Sequence, residues 1–256
     1  MKYEQLYKPS VVCDTANKLD THASGAALVF LDPPYNQGMK YNDDPTGDSL
    51  PTDEYLEMLE CDFMSAYRAL RPGGVVAVLI STSWAIETGL LLNKVFDNQL
   101  NWIIWHERFS QYTDKKFAPS HRNLFIYQKT GTSSVWNTEH IRVPSERMKM
   151  GDKRAKGPRV PSDVWSVRRL QGTSHDRIVG FPCQLPPEPL ERLVHAYTNP
   201  GDLVAEQFVG VGSLTRVVAR MGRKYIGVEQ SEQSCKIAAE RGEHAYLLAN
   251  ARKESA

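Results

Sequence analysis

Leu28 to Asn36 reads LVFLDPPYN. The apolar run Leu28–Leu31 breaks abruptly at Asp32-Pro33-Pro34-Tyr35. A short apolar run closed by prolines predicts a buried strand. Proline has no N–H to give to a sheet ladder, and it keeps the residue before it extended. The chain is therefore stiff just past the strand's C-terminal end, which is where open α/β sheets hold their ligands. One carboxylate (Asp32), one carbonyl (Pro33) and one aromatic ring (Tyr35) are held together there, with Pro34 fixing the turn. A flat ring bearing an amine can stack on Tyr35 while the amine donates to Asp32 and to the Pro33 carbonyl. Taken alone, the same residues also make an ordinary Asp-Pro turn beside a core tyrosine.

A second stretch of interest runs from Leu203 to Glu229. It reads as a strand (LVAEQF), a glycine turn (GVGS), a helix over Leu214–Met221, and a strand over Lys224–Val228 that ends at the acid Glu229. Gly210 and Gly212 permit a tight turn and close backbone approach to a ligand. The helix after them presents free N–H groups suited to a carboxylate. Glu229 can accept two ribose hydroxyls. Alone, this pattern also fits a nicotinamide or flavin site. The third glycine of the dinucleotide fingerprint is absent, and Thr215 stands in its place.

The chain outside these stretches sets the frame. With 256 residues it can bury a full core, as one α/β domain or one with an insertion. A formal charge of +1 leaves any nucleic-acid surface to be local. Cys13, Cys61, Cys183 and Cys235 are scattered without a C-x-x-C pair, so neither a zinc site nor a disulfide framework is implied and a reducing cytoplasm fits. The N-terminus has no apolar leader core, and no run approaches membrane-span length. Seven strands are expected, near Val12, Leu28, Val76, Ile103, Leu124, Val204 and Tyr225. Helices are expected over Thr52–Leu70 (capped by Thr52 or Asp53), Trp84–Phe96, Gln184–Tyr197 and Leu214–Met221. A last helix, capped by Ser231, is expected to end near Arg241.

From about Thr130 to Phe181 periodicity vanishes while Pro, Gly and basic residues accumulate. Ten basic residues lie between Arg142 and Arg177, against the four acids Glu146, Asp152, Asp163 and Asp176. That excess of six positive charges, with Trp165 among them, is what a phosphate backbone attracts; a solvated loop is the bland alternative. Arg159, Trp165, Arg168 and Arg169 are the expected DNA contacts, with the loop from Gln37 to Thr52 as the other place to look. His121, in a P-S-H phrase before a strand, is a candidate substrate contact.

The DPPYN phrase after an apolar strand resembles motif IV of the amino-group DNA methyltransferases, which move a methyl group from S-adenosylmethionine to adenine N6 or cytosine N4. Asp14, ending the strand KPSVVCD, resembles motif III, where the carboxylate accepts from the cofactor's adenine amine. Glu206 to Ser213 (EQFVGVGS) resembles motif I. It departs from the usual D-P-F-x-G-S-G-T in its longer first acid, its missing proline and its Val211. Gly227-Val228-Glu229 resembles motif II. Phe181 to Pro186 (FPCQLP) resembles motif X, with Phe181 in place of the usual histidine. The order IV, basic segment, X, I resembles the β class, a circular permutation of the common order.

That resemblance implies a Rossmann-like α/β sheet of seven strands with helices on both faces. It divides the chain into a catalytic half over 1–130, a target recognition insertion over 131–181 and a cofactor-binding half over 182–256. It implies catalysis by Asp32, Pro33, Pro34 and Tyr35. The cofactor would be held by Asp14, Gln184, Phe208, Gly210, Gly212, Ser213 and Glu229. The partner would be double-stranded DNA, with no metal and no membrane. The oligomeric state stays open, a homodimer among the options, as does a restriction partner. DPPY leans toward adenine over cytosine. A DNA-binding protein whose methylation has decayed is the competing reading of the altered motif I.

Overall fold

The computed structural model describes residues 5–39, 48–107, 113–170, 174 and 177–254. In chain order its strands are β1 (Ser10–Cys13), β2 (Ala26–Leu31), β3 (Leu70–Ser81), β4 (Asn98–Glu107), β5 (His121–Gln128), β6 (Val164–Val167), β7 (Leu203–Gln207) and β8 (Lys224–Glu229). The α-helices are α1 (Leu19–His22), α2 (Thr52–Ala69), α3 (Ala85–Val95), α4 (Glu146–Lys149), α5 (Pro187–Tyr197), α6 (Ser213–Val218) and α7 (Glu232–Glu254).

All eight strands form one sheet, ordered β1-β8-β7-β2-β3-β5-β4-β6. β2 lies between β7 and β3, parallel to both, and every residue of β2 is buried. Full burial on both faces explains why this segment reads as a continuous apolar run instead of an alternation. Each such aliphatic side chain contributes roughly 1.5–3 kcal/mol, so the segment before Asp32 is among the most firmly seated in the chain. The core has two layers. On one face Tyr55, Leu59, Phe63 and Ala66 of α2 pack with Leu92 of α3 against Val29, Leu31, Val76 and Val78. On the other, Leu190, Leu193 and Val194 of α5 and Leu214, Val217 and Val218 of α6 pack against Leu28, Phe30, Val75 and Val204. The buried positions of α2 recur at three- and four-residue spacing, as an amphipathic helix requires.

The seven expected strands are all present. The eighth, β6, falls in the stretch expected to be irregular and pairs in parallel with β4 at the sheet edge. Its four residues VWSV alternate exposed and buried, a signal too short to read without its partner. Trp165 lies on its inward side. It is 7% exposed and belongs to the core layer of α5; its indole N–H donates to the Ser162 carbonyl at 2.9 Å, and the Arg192 guanidinium lies 4.5 Å over its ring. The expectation that Trp165 is a DNA-facing aromatic is therefore corrected: its ring is spent on the core. Ile141 and Val167 join the same layer, so residues 131–181 contribute to the core as well as to the surface.

Two helix ends also differ from expectation. Pro51, not Thr52 or Asp53, occupies the cap position of α2, and no side chain caps it; the acids Asp53 and Glu54 instead lie in the first turn, where negative charge suits the helix dipole. α7 runs on to Glu254. Beyond Gly242 and Ala245 its sequence is a mixture of charged, polar and apolar residues without a stripe, which is why periodicity did not extend it.

Candidate active site

The C-terminal ends of β2 and β7 are neighbours. Leu31 and Gln207 are in register, so Asp32 and Phe208 begin two adjacent loops at the C-terminal end of the central strands. The residues of the first loop are pinned. Tyr55 of α2 donates its hydroxyl to the Pro34 carbonyl at 2.7 Å. Asn36 adopts φ +51, and its backbone N–H and that of Gln37 donate to Asp48 at 2.5 and 3.0 Å. The Asn36 side chain exchanges two hydrogen bonds with the Leu50 backbone, at 2.9 and 2.6 Å. The chain thus leaves β2, makes a turn that carries Asp32–Tyr35, and is clasped to the start of α2 by Asp48 and Leu50. Residues 40–47, the tip of the loop considered above as a second DNA-recognition site, lie outside the described residues.

Within the turn, the Tyr35 hydroxyl donates to Asp32 at 2.6 Å. Arg122, the second residue of β5, donates to the Tyr35 oxygen at 3.4 Å, with its guanidinium 5.7 Å from the Tyr35 ring centre. Glu107, the last residue of β4, pairs with Arg122 at 3.0 Å. Burial pushes the Asp32 carboxyl up to about 6; the Arg122 cation and the Tyr35 hydrogen bond oppose that rise, and Glu107 adds to it. Burial and the neighbouring Asp32 push the Tyr35 hydroxyl well above its ordinary value, so it stays a donor. Asp32 is therefore an ionised acceptor at neutral pH whose proton affinity has moved toward the working range.

The glycine turn follows β7. Phe208 adopts φ +60, which is strained for a side chain of its size. Gly210, at φ +53, has nothing among the described residues within 4 Å of where a Cβ would stand. Gly212, at φ +79, would place a Cβ 3.0–3.1 Å from Ala238 of α7. The two glycines thus do different work: Gly210 opens onto free space, and Gly212 lets α6 and α7 pack. Glu229, at the end of β8, accepts from the Gly210 N–H at 2.7 Å and from the Ser231 N–H at 2.9 Å. Asp14 is beside it, its N–H donating to the Glu229 carbonyl at 3.0 Å. The Asp14 carboxylate accepts from His22 and from the Thr15 N–H, each at 2.8 Å. Those bonds, that of His22 foremost, hold it below the usual carboxylate range. Asp14, Glu229 and the open side of Gly210 together make a cradle with two acids, which suits a nucleoside with a free amine and vicinal hydroxyls. Ser213 accepts from the Leu185 N–H at 3.1 Å and so ties the 178–186 segment to this turn. Gln184 bonds the Ile178 N–H and the Ile178 and Phe181 carbonyls; it braces its own loop.

The altered first acid of the glycine segment has a structural use. Glu206 is 3% exposed, accepts from the Tyr225 hydroxyl, and Tyr225 in turn accepts from Thr215 at 2.9 Å. Burial drives Glu206 well above its ordinary value. Thr215, standing where a third glycine would be, closes this buried chain and packs without exposure.

Of the expected DNA contacts, Arg168 and Arg169 are exposed and follow directly on Val167, which pairs with Glu107. They stand at the same end of the strands as Asp32, because β6, β4 and β2 point the same way, though β6 is the edge strand and β2 is central. His121 opens β5 at that end and is partly exposed. Arg159 is exposed and bridges by its backbone to Val143. Within the same basic segment, Asp152 pairs with Arg147 and Arg154, and Glu146 with Lys149, which reduces the charge available to a partner. Residues 171–173, 175 and 176 of this segment, Asp176 included, lie outside the described residues.

Arg122, Glu107, Asp48 and Tyr55 escaped the reading of the sequence. They reach Tyr35 and its turn from β5, β4, the loop end and α2, and no spacing along the chain announces a contact made across a sheet. Arg122 alone had a signal, its place directly after the P-S-H phrase. Among the described residues no cluster of three metal-ligating side chains occurs, and no helix is long and apolar enough to cross a membrane.

The chain resembles known proteins along most of its length. The family model described as DNA methylase matches residues 26–240. The Type II methyltransferase M.HpaI of Haemophilus parainfluenzae is 27% identical over 235 residues, covering 90% of this chain and 73% of that protein. The DNA adenine methyltransferase YhdJ of Escherichia coli K12 is 27% identical over 228 residues, covering 84% of this chain and 75% of that protein. Among solved structures, PvuII DNA methyltransferase (cytosine-N4-specific) superposes with a TM-score of 0.69 at 14% identity, over 98% of this chain and 95% of that one. The M1.HpyAVI–SAM complex superposes with a TM-score of 0.65 at 15% identity, over 91% and 98%. At those identities the structural likeness speaks for the fold.

Proposed function

This chain belongs to the DNA methylase family, and on that premise we propose that it transfers the methyl group of S-adenosylmethionine to the exocyclic N6 amine of adenine in double-stranded DNA. The observation that carries the proposal is the adjacency of two loops. The Asp32 acceptor turn and the glycine turn start side by side, at Leu31 and Gln207, so an amine and a methyl donor can meet between them. The residues present fit the cofactor: Gly210 leaves open space, and Asp14 and Glu229 stand together beside it. When bound, the sulfonium supplies the electrophilic methyl.

The chain's own residues do the rest by position and charge. A base inside the duplex is out of reach, so it must be flipped out. Tyr35 leaves Asp32 and stacks on the extruded ring. Asp32 and the Pro33 carbonyl accept the two amine hydrogens, which turns the nitrogen lone pair toward the cradle. As the N–C bond forms and the S–C bond breaks, the amine becomes acidic and sheds a proton. A carboxylate with a proton affinity near pH 6 is suited to take it. Arg168, Arg169, Arg159 and His121 are proposed to contact DNA. The lean toward adenine rests on the DPPY wording and on the likeness to an adenine methyltransferase. Digesting treated DNA to nucleosides tests it: N6-methyldeoxyadenosine is expected, and N4-methyldeoxycytidine in its place would overturn the choice of base.

A further inference from the structure

We propose that Arg122, braced by Glu107, is a positioning residue that sets both the charge state of Asp32 and the resting place of Tyr35. The inference rests on the reading of Asp32 as the amine acceptor and adds a residue to that site.

The geometry is specific. Among the described residues Arg122 is the cation against this turn: it donates to the Tyr35 oxygen at 3.4 Å and its guanidinium lies 5.7 Å from the ring centre. Its side chain is 21% exposed, and that of its partner Glu107 is 18% exposed. A partly buried ion pair costs desolvation to assemble and calls for a use. Here one end of the guanidinium is fixed by the Glu107 carboxylate at the end of β4, which leaves the other end aimed at Tyr35 and, through it, at Asp32. Adjacent strands β4 and β5 supply the two partners in rigid register, with His106 opposite His121 and Trp105 opposite Arg122. The fork therefore cannot drift away when Tyr35 moves.

The consequence follows from signs. The titratable groups facing Asp32 are Tyr35 from its own turn, Tyr55 from α2, Arg122 from β5, Glu107 from β4 and Glu206 from β7, with Cys183 near Tyr35 and Arg122. Arg122 is the cation among them. Without it, burial and the surrounding acids act on Asp32 unopposed except by Tyr35, so Asp32 holds its proton to higher pH. A protonated Asp32 is a poorer acceptor for an amine. Tyr35, deprived of the guanidinium beside its oxygen, also loses a hydrogen bond to its hydroxyl and the cation near its ring.

The test is a titration of Asp32 in the substrate-free chain by carbon NMR of 13C-labelled aspartate, assigned by loss of the signal in Asp32→Asn. The variants are Arg122→Met, which keeps the bulk of the stem, Arg122→Lys, which keeps the charge, and Glu107→Gln. The expected result is a rise of about one pH unit or more in Arg122→Met, the scale on which a neighbouring opposite charge moves a carboxyl. Arg122→Lys should stay close to wild type. Glu107→Gln, which removes a like charge, should titrate lower than wild type. The acid limb of kcat should move in the same directions. An unchanged Asp32 titration in folded Arg122→Met overturns the inference. If that variant fails to fold, Arg122→Gln takes its place, and an unchanged Asp32 titration there overturns the inference. Absence of methyl transfer by the wild-type chain would defeat the proposed function instead, and the Asp32 titration would still decide the role of Arg122.

Discussion

The Tyr35 hydroxyl donates to the Asp32 carboxylate at 2.6 Å, so the ring proposed to stack on the target base also caps the acid proposed to receive its amine. Substrate entry and uncapping are then one event. Tyr35→Phe keeps the ring and removes the cap. It should leave kcat within a few-fold of wild type at pH 8. It should also move the acid limb of kcat/KM, which reports the free enzyme, upward, because the hydrogen bond that holds the Asp32 carboxyl down is gone. Tyr35→Ala removes the stacking surface, worth about 1–3 kcal/mol per base in proteins that stack bases on aromatic side chains. Steady-state kinetics of the two variants against pH separates cap from stack.

In the wild-type chain methyl transfer should fail on the acid side of about pH 6, where Asp32 takes up a proton. The sign is that of an acceptor that must be ionised: activity is present above this value and lost below it. A kcat profile flat down to pH 5 would show that Asp32 need not be ionised.

The two glycines of the turn should part company. Gly210→Leu fills space that is open and should weaken S-adenosylmethionine binding by calorimetry. Gly212→Ala meets Ala238 at φ +79 and should instead lower thermal stability, by about 1–3 kcal/mol for strain of this kind, with much less effect on affinity per folded molecule.

Asp62 offers a test of the core. It is 2% exposed on α2, its Oδ2 has no hydrogen-bond partner among the described residues, and burial raises it to about 7. In that window the folded chain holds a proton that the unfolded chain has released, so stability should fall as pH rises from about 4 to about 7 and then level. Asp62→Asn removes the titration. It should stabilise the chain at pH 8 by on the order of 2 kcal/mol and change little at pH 4, by denaturant unfolding at both values.

Trp165 and its neighbours should separate as core and surface. Trp165→Ala is expected to cost about 3–5 kcal/mol of stability. Arg168→Ala and Arg169→Ala should leave stability nearly unchanged. If they contact phosphates, each should flatten the salt dependence of DNA binding by about one unit of slope. Equal DNA affinity and slope in both arginine variants would move DNA recognition elsewhere.

How far these features could be read from the chain depended on how local their causes are. The buried strand before Asp32, the stiff double proline and the glycine turn with its terminal acid are written in contiguous residues, and each is found where its residues predict. β6 escaped because four alternating residues in a Pro- and Gly-rich stretch become a strand only beside β4. Trp165 was misread for the same reason: a charge count marks a surface, but alternation decides which side chains of a strand reach it. The packing of Gly212 against Ala238 of α7 is likewise a contact between distant segments, which its place in the glycine turn does not announce. Arg122 and Glu107 are 15 residues apart and meet through the antiparallel pairing of β4 and β5.

The central claim is that Asp32 receives the target amine and is not needed to hold the cofactor. Its most direct test is Asp32→Ala against wild type, with methyl transfer to unmethylated duplex DNA and S-adenosylmethionine affinity measured on the same preparations. The account predicts a loss of roughly a hundredfold or more in transfer, the scale of one charge-assisted bond tightened in the transition state, with affinity retained. Near wild-type transfer by the variant would contradict it.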